Sequence, residues 1–369
     1  MSEGRREVAF LDLGATYQEL KPELDDAHGR VMQSGWFVLG SELEAFEREF
    51  ATYVAADHAV GVGNGLDALT LALRALDIGS GDEVIVPSNT YIATWLAVSA
   101  VGAVPVPVEP DSTTYNLDAI RISEAITQRT RAILPVHLYG QPANLGAILE
   151  VASDHGLRVV EDAAQAHGAS CGGSRIGAAG DVVCWSFYPG KNLGAFGDGG
   201  AITTRSAELA QRVRVLRNYG SKVKYEHDTR GVNSRLDELQ AAFLRVKLRH
   251  LDTWNARRAA IAQRYLEALA DHPTLGLPWP QDGAESSWHL FVVRHAERDR
   301  LRAHLADAGV ASLIHYPIPP HRQLAYQDLE MRTALPLAEQ LADEVLSLPI
   351  GPHLPEADVT HVIDTLRRF

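Results

Sequence analysis

Residues 182–204 read VVCWSFYPGKNLGAFGDGGAITT. Two short runs rich in Val, Ile and aromatic residues, VVCWSF and GAITT, have the length and composition of buried strands, and the turn between them is full of glycine. One lysine, Lys191, stands just past the first run. Hydrophobic periodicity gives no reason for a lysine there, so its purpose is chemical. Similar runs recur along the chain as HAVGVG, DEVIVP, VPVPV, RAILPV and LRVVE, each bounded by Gly, Pro or Asn. Between several of them lie helical patterns: LDALTLALRAL places Leu66, Leu69 and Leu73 three and four apart, and NLGAILEVASDHG stops at a glycine. This alternation predicts an α/β fold, a mostly parallel sheet flanked by helices, with ligands collecting at the carboxyl ends of the strands.

A chain of 369 residues, 46% hydrophobic, is long for one core, and a second, smaller unit is expected. From Leu251 the pattern changes to a long helix, LDTWNARRAAIAQRYLEALADH, followed by a Pro-rich turn, a strand WHLFVVR, a helix RDRLRAHLADAG, a strand SLIHYP and a final helical segment. Residues 1–255 are therefore read as a large ligand-binding domain and 256–369 as a small C-terminal α/β domain. A formal net charge of -13 argues against nucleic acid as a partner. Two cysteines, Cys171 and Cys184, make no disulfide framework, and the opening MSEGRREVAFLDL has no signal-like apolar stretch. The longest apolar run, WLAVSAVGAVPVPV, is interrupted by Ser99, Gly102 and prolines and falls short of the roughly 20 residues of a membrane span. A cytoplasmic protein with no membrane contact is the expectation.

The strand ends carry the chemistry. LRVVE is followed by Asp162, with Gln165 three residues on; DEVIVPSNT by Tyr91; HAVGV by GNGLDAL; VVCWSF by Tyr188 and Lys191. Taken singly, Asp162 reads as a helix cap, Tyr188 as a packing aromatic and the glycines as a tight turn. Together they meet the needs of pyridoxal phosphate: an amine for the Schiff base, a carboxylate to keep the pyridine nitrogen protonated, a flat group against the ring, and helix N–H groups for the phosphate. Lys191, Asp162, Tyr91 and the turn at Gly63–Gly65 fill those four roles. A Walker-type loop is ruled out by Asn192 and Trp185 at the positions needing Ser or Thr and Gly, and the dinucleotide fingerprint by Leu66. No metal site is expected.

EDAAQAHGA, SFYPGKNLGAFGDGGAI, LRNYGS, GVNSRLDELQAA and IHYPIPPH, in that order over nearly the whole chain, resemble the DegT/StrS-type nucleotide-sugar aminotransferases, fold-type I pyridoxal phosphate enzymes. PVHLYGQPA, RNYGSKVKY and HYPIPPH are similar to the branch that aminates C3 of a dTDP-linked 3-keto-6-deoxyhexose in amino-sugar biosynthesis. The resemblance implies that Lys191 forms the Schiff base, Asp162 partners the pyridinium, Gln165 lies beside the ring oxygen and Tyr91 stacks on the ring. It gives the phosphate to Ser186 and the backbone of Gly65 and Leu66, joined by Asn233 from the neighbouring subunit, so a homodimer with shared active sites is implied. Tyr188, His315 and Tyr316 are expected to line the sugar pocket, and Lys224 and Tyr225 to approach the diphosphate; a solvated loop is the equal alternative for Lys222, Lys224 and Arg230. His137 and His167 receive no role.

The implied reaction moves an amino group from L-glutamate to the keto sugar, with pyridoxamine phosphate between the two halves and Lys191 as the proton carrier. Lys191 speaks against the related 3-dehydratases, which carry histidine there. The missing fingerprint counts against an oxidoreductase. A C4 aminotransferase of the same family and a non-catalytic cofactor-binding regulator are the alternatives.

Overall fold

The computed structural model describes residues 6–369. Seven strands form its main sheet: β1 (His58–Val62), β2 (Glu83–Pro87), β3 (Val104–Val108), β4 (Thr130–Ile133), β5 (Arg158–Asp162), β6 (Val182–Ser186) and β7 (Gly200–Thr204). Their order is β1-β7-β6-β5-β4-β2-β3, and only β7 runs against the others. Both faces are covered, which is why the strands read as unbroken apolar runs rather than alternating ones. Side-chain parity sorts them: Val160, Val182 and Cys184 join the core under helices Gly65–Ala75, Ile92–Ala100 and Ala207–Leu216, whereas Val183 and Trp185 join the opposite one, with Phe46, Phe50 and Phe187.

That parity positions the site. Asp162 shares the face of Val160, and Ser186 shares the face of Val182 and Cys184. Since Asp162 pairs with Cys184 across β5 and β6, the carboxylate and, two residues further along, the hydroxyl emerge on one face at the carboxyl edge. Helices Gly65–Ala75 and Ile92–Ala100 begin at that same edge.

The helix Leu251–Leu269 buries Trp254, Ile261, Tyr265 and Leu269. Beyond it, β8 (Phe291–Arg294) pairs antiparallel with β9 (Val345–Leu348), and helices Leu251–Leu269, Arg298–Asp307 and Glu356–Leu366 close a separate core over them. Val8 belongs to this core and exchanges backbone hydrogen bonds with Gly309 and Ala311 at 2.8 and 3.0 Å.

Two expectations are corrected here. SLIHYP forms no strand; Leu313 makes a single bridge to Ser347, so His315 and Tyr316 stand on irregular backbone. Pro317, Pro319 and Pro320 remove the N–H groups a ladder would need. The partner strand is instead Val345–Leu348, within the stretch read as a final helix. Two helices that sequence reading passed over, Leu13–Ser34 and Ser41–Tyr53, precede β1.

Candidate active site

Asp162 is 7% exposed. Its Oδ2 accepts from the Thr94 hydroxyl at 2.9 Å and its Oδ1 from the Ala164 N–H at 3.2 Å. Burial pushes its pKa up, against those two donors and the nearby charge of Lys191. Burial acts oppositely on Lys191, lowering the amine to about 8, with Asp162 the opposing influence. The two groups are thus within each other's field at the edge of neighbouring strands. Lys191 Nζ has no hydrogen bond among the described residues, while its backbone N–H closes a turn on the Tyr188 carbonyl at 2.8 Å. Gly194 allows that turn, because a Cβ there would lie 2.3 Å from the Pro189 carbonyl oxygen.

The next residue holds the turn in place. Asn192 Nδ2 donates to Asn255 Oδ1 (2.9 Å) and the Ser287 carbonyl (2.7 Å), which fixes its Oδ1 toward His289 Nδ1 at 3.1 Å. His289 therefore carries its proton on Nδ1, and burial followed by the Lys191 charge holds its pKa well below the usual range. Burial also brings His167 down to about 3 and His315 to about 4, with Lys191 contributing to both. The lysine is surrounded by neutral imidazoles.

The turn expected to receive the phosphate is held by its own hydrogen bonds. Asn64 caps helix Gly65–Ala75 by accepting from the Asp67 N–H at 2.8 Å, and the Ser234 hydroxyl accepts from the Gly63 N–H at 2.9 Å and donates to Asp67 at 2.6 Å. A Cβ on Gly65 would lie 2.7 Å from Ser186 Cβ, so glycine brings the helix N-terminus against the end of β6. Leu66 follows on the first turn. The residues fit pyridoxal phosphate: an anion site, a buried carboxylate drawing on few donors, and an amine with no partner share one strand edge.

Around the ring position the expected residues gather with some already engaged. Gln165 accepts from the Tyr139 N–H (2.6 Å) and donates to the Tyr316 hydroxyl (3.0 Å). Tyr91 is 54% exposed and lies 5.1 Å from the Tyr316 ring. His315 Nδ1 meets Ser347 Oγ at 2.8 Å and its carbonyl accepts from the Tyr139 hydroxyl. Tyr188 is exposed. Lys224 and Tyr225 are not brought to this edge by contacts within the chain: they stand on the hairpin Ser221–Val223/Glu226–His227, exposed, with the ammonium 5.0 Å from the Tyr225 ring centroid. Asn233 is also exposed and its side chain makes no hydrogen bond among the described residues, although Ser234 beside it is buried on the glycine turn.

The two unassigned histidines resolve differently. His137 donates from Nε2 to Glu161 at 2.9 Å, accepts at Nδ1 from the Ala143 N–H at 3.0 Å, and its backbone N–H holds the Asp162 carbonyl at 3.0 Å. It steadies the strand end that presents Asp162. His167 packs 5.2 Å from Trp185. Thr94, Tyr139, Asn192 and His289 were missed in the sequence. Thr94 and Asn192 each adjoin a chosen motif, but His289 sits in a run that reads only as strand.

Comparison with known proteins identifies the family. Residues 18–367 match the model of the DegT/DnrJ/EryC1/StrS aminotransferase family. A Streptomyces venezuelae protein named dTDP-3-amino-3,4,6-trideoxy-alpha-D-glucose transaminase is 58% identical, the alignment covering 98% of this chain and 96% of that one. An Aneurinibacillus thermoaerophilus dTDP-3-amino-3,6-dideoxy-alpha-D-galactopyranose transaminase is 54% identical over 98% and 99%. The crystal structure of S. venezuelae DesV with a ketimine intermediate superposes with a TM-score of 0.96 at 58% identity, covering 98% of both chains. The fold-type I architecture expected above is that of this neighbour.

Proposed function

We propose, from the premise that this chain belongs to the DegT/DnrJ/EryC1/StrS aminotransferase family and is an aminotransferase, that it transfers an amino group from L-glutamate to the C3 carbonyl of a dTDP-linked 3-keto-6-deoxyhexose. The observation that carries this is the joint presence of Lys191, Asp162 and the Gly63–Gly65 helix start on one strand edge, in a chain 58% identical along nearly its full length to a sugar 3-transaminase. The cofactor is pyridoxal phosphate. When bound, it supplies a carbonyl to receive the amino group and a conjugated ring to take up the electron pair left by a departing proton.

The chain's own residues do the rest. Asp162, held by Thr94 and the Ala164 N–H, would keep the cofactor's ring nitrogen protonated. Lys191 Nζ, softened to about 8, both accepts and returns a proton near neutrality. Tyr91 would cover the ring, and Gln165, held by Tyr139 and Tyr316, would meet the ring oxygen. Ser186 and the N–H groups from Gly65 and Leu66 hold the phosphate. Tyr188, His315 and Tyr316 line the sugar side.

In the same reading, residues 1–255 form the cofactor-binding domain and 256–369 the smaller one. The functional unit is a cytoplasmic homodimer in which Asn233 completes the partner's phosphate site and Lys224 and Tyr225 approach the substrate diphosphate. The exposure of these three side chains supports that assignment.

Incubating the cofactor-loaded protein with glutamate and a panel of dTDP- and UDP-keto sugars, followed by mass and NMR analysis, tests it. The expected product is a dTDP-3-amino sugar formed in step with 2-oxoglutarate. Amination at C4, or turnover confined to UDP sugars, overturns the substrate assignment.

A further inference from the structure

Between the start of the chain, the turn that carries Lys191 and the segment after β9 lies a cavity of about 450 Å³. Its wall includes Lys191 and two more cations, Lys247 and Arg258, each only 4% exposed. Lys247 Nζ donates to the Gly194 carbonyl at 2.7 Å and lies 3.6 Å from the centroid of Phe196. The hydrogen bonds of Arg258 all leave from Nη1, to the carbonyls of Trp288, His289 and Ile350 at 3.3, 3.5 and 3.2 Å, and its buried Nε has no partner. Neither cation meets a carboxylate among the described residues. Burial alone lowers Lys247 to about 7 and Arg258 to about 10.

The acids on the same wall are otherwise placed. Asp12 caps the helix Leu13–Ser34 through the N–H groups of Gly14 and Ala15, Asp358 accepts from Arg6 at 2.6 Å, and Glu7 is exposed. Pinning backbone turns accounts for the carbonyl contacts of Lys247 and Arg258. It leaves two buried cations with no counter-charge among the described residues, beside open space, an arrangement that an anion joining them would relieve. The sugar-side groups offer no such charge, since Tyr188 and Tyr316 are phenols and His315 is neutral at pH 7.

We propose that Lys247 and Arg258 form the subsite for a carboxylate of the amino donor, an α-amino dicarboxylate, and of the 2-oxo acid it leaves behind. This rests on the transamination proposed above. Lys191 lines the same cavity, so an amino acid engaged there would bring its carboxylates toward these two cations, which have no counter-charge among the described residues.

The test uses the cofactor-loaded dimer and glutarate, which has two carboxylates and no amine. Calorimetry gives its affinity for the wild type, Lys247→Gln, which keeps a donor for Gly194 but not the charge, and Lys247→Arg. The expectation is a loss of about 10- to 100-fold for Lys247→Gln, recovery in Lys247→Arg, and a rise in the KM for glutamate without a matching rise for the keto sugar. Unchanged glutarate affinity in Lys247→Gln overturns the subsite, as does an equal loss for both substrates with a lowered melting temperature. If Lys247→Gln does not fold, Arg258→Gln decides by the same readings. Glutarate binding needs no sugar, so failure of every keto sugar in the wild type counts against the proposed function and not against the subsite.

Discussion

Lys191 and Asp162 are moved by the same burial in opposite directions, one toward the free amine and the other toward the neutral acid. Replacing Lys191 with Ala is expected to leave cofactor bound but not fixed to the protein by borohydride, and to lower turnover by at least about 100- to 10,000-fold. A covalent mark persisting in the variant contradicts this. Because the amine must be unprotonated to react, the rate at which the apoprotein captures pyridoxal phosphate should rise about tenfold per pH unit below about 8 and level off above it; a rise that continues undiminished from about pH 8 to 10 would show the amine is not softened. For Asp162→Asn, an amide cannot hold a ring proton, so both half-reactions should slow about 100- to 1,000-fold with the fold intact. Near-wild-type rates would reduce Asp162 to a cap for the Ala164 N–H. Both residues were legible from the sequence because each follows a buried apolar run, where a charge has no packing reason to be. Thr94 and His289 were not, since what they do depends on contacts 68 and 97 residues away.

Elements were readable where their pattern is local. Strands buried on both faces announce themselves as apolar runs, and the helix Leu145–His155 ends at Gly156 in the left-handed conformation expected of its cap. The irregular path of His315 and Tyr316 was mistaken for a strand because Leu313 and Ile314 look like one, and the prolines that prevent it come afterward. Glu238 shows how an element can depend on a distant one. Buried at 2%, its carboxylate accepts from the N–H groups of Gly40, Glu42 and Leu43 at 2.7, 2.9 and 3.1 Å, serving as the missing side-chain cap of helix Ser41–Tyr53. Glu238→Ala orphans all three donors and should cost about 3 kcal/mol in chemical denaturation. A loss below about 1 kcal/mol would mean that water replaces the carboxylate there.

For the whole molecule, the shared site is the decisive question. Mixing inactive Lys191→Ala chains with inactive Asn233→Asp chains under subunit exchange should restore up to about a quarter of wild-type activity, since half the dimers are mixed and each has one site with both residues intact. No recovery after demonstrated exchange, or a fully active monomer, removes Asn233 from the partner's site. The bridge between Val8 and the Gly309–Ala311 backbone has its own consequence, one of timing. On the ribosome Val8 emerges long before the segment it pairs with, so that seam closes only after Gly309–Ala311 has been made. Until then Val8 has no core to enter, and the last third of the chain, produced by itself, would begin life with a hole where the first strand-like residues belong.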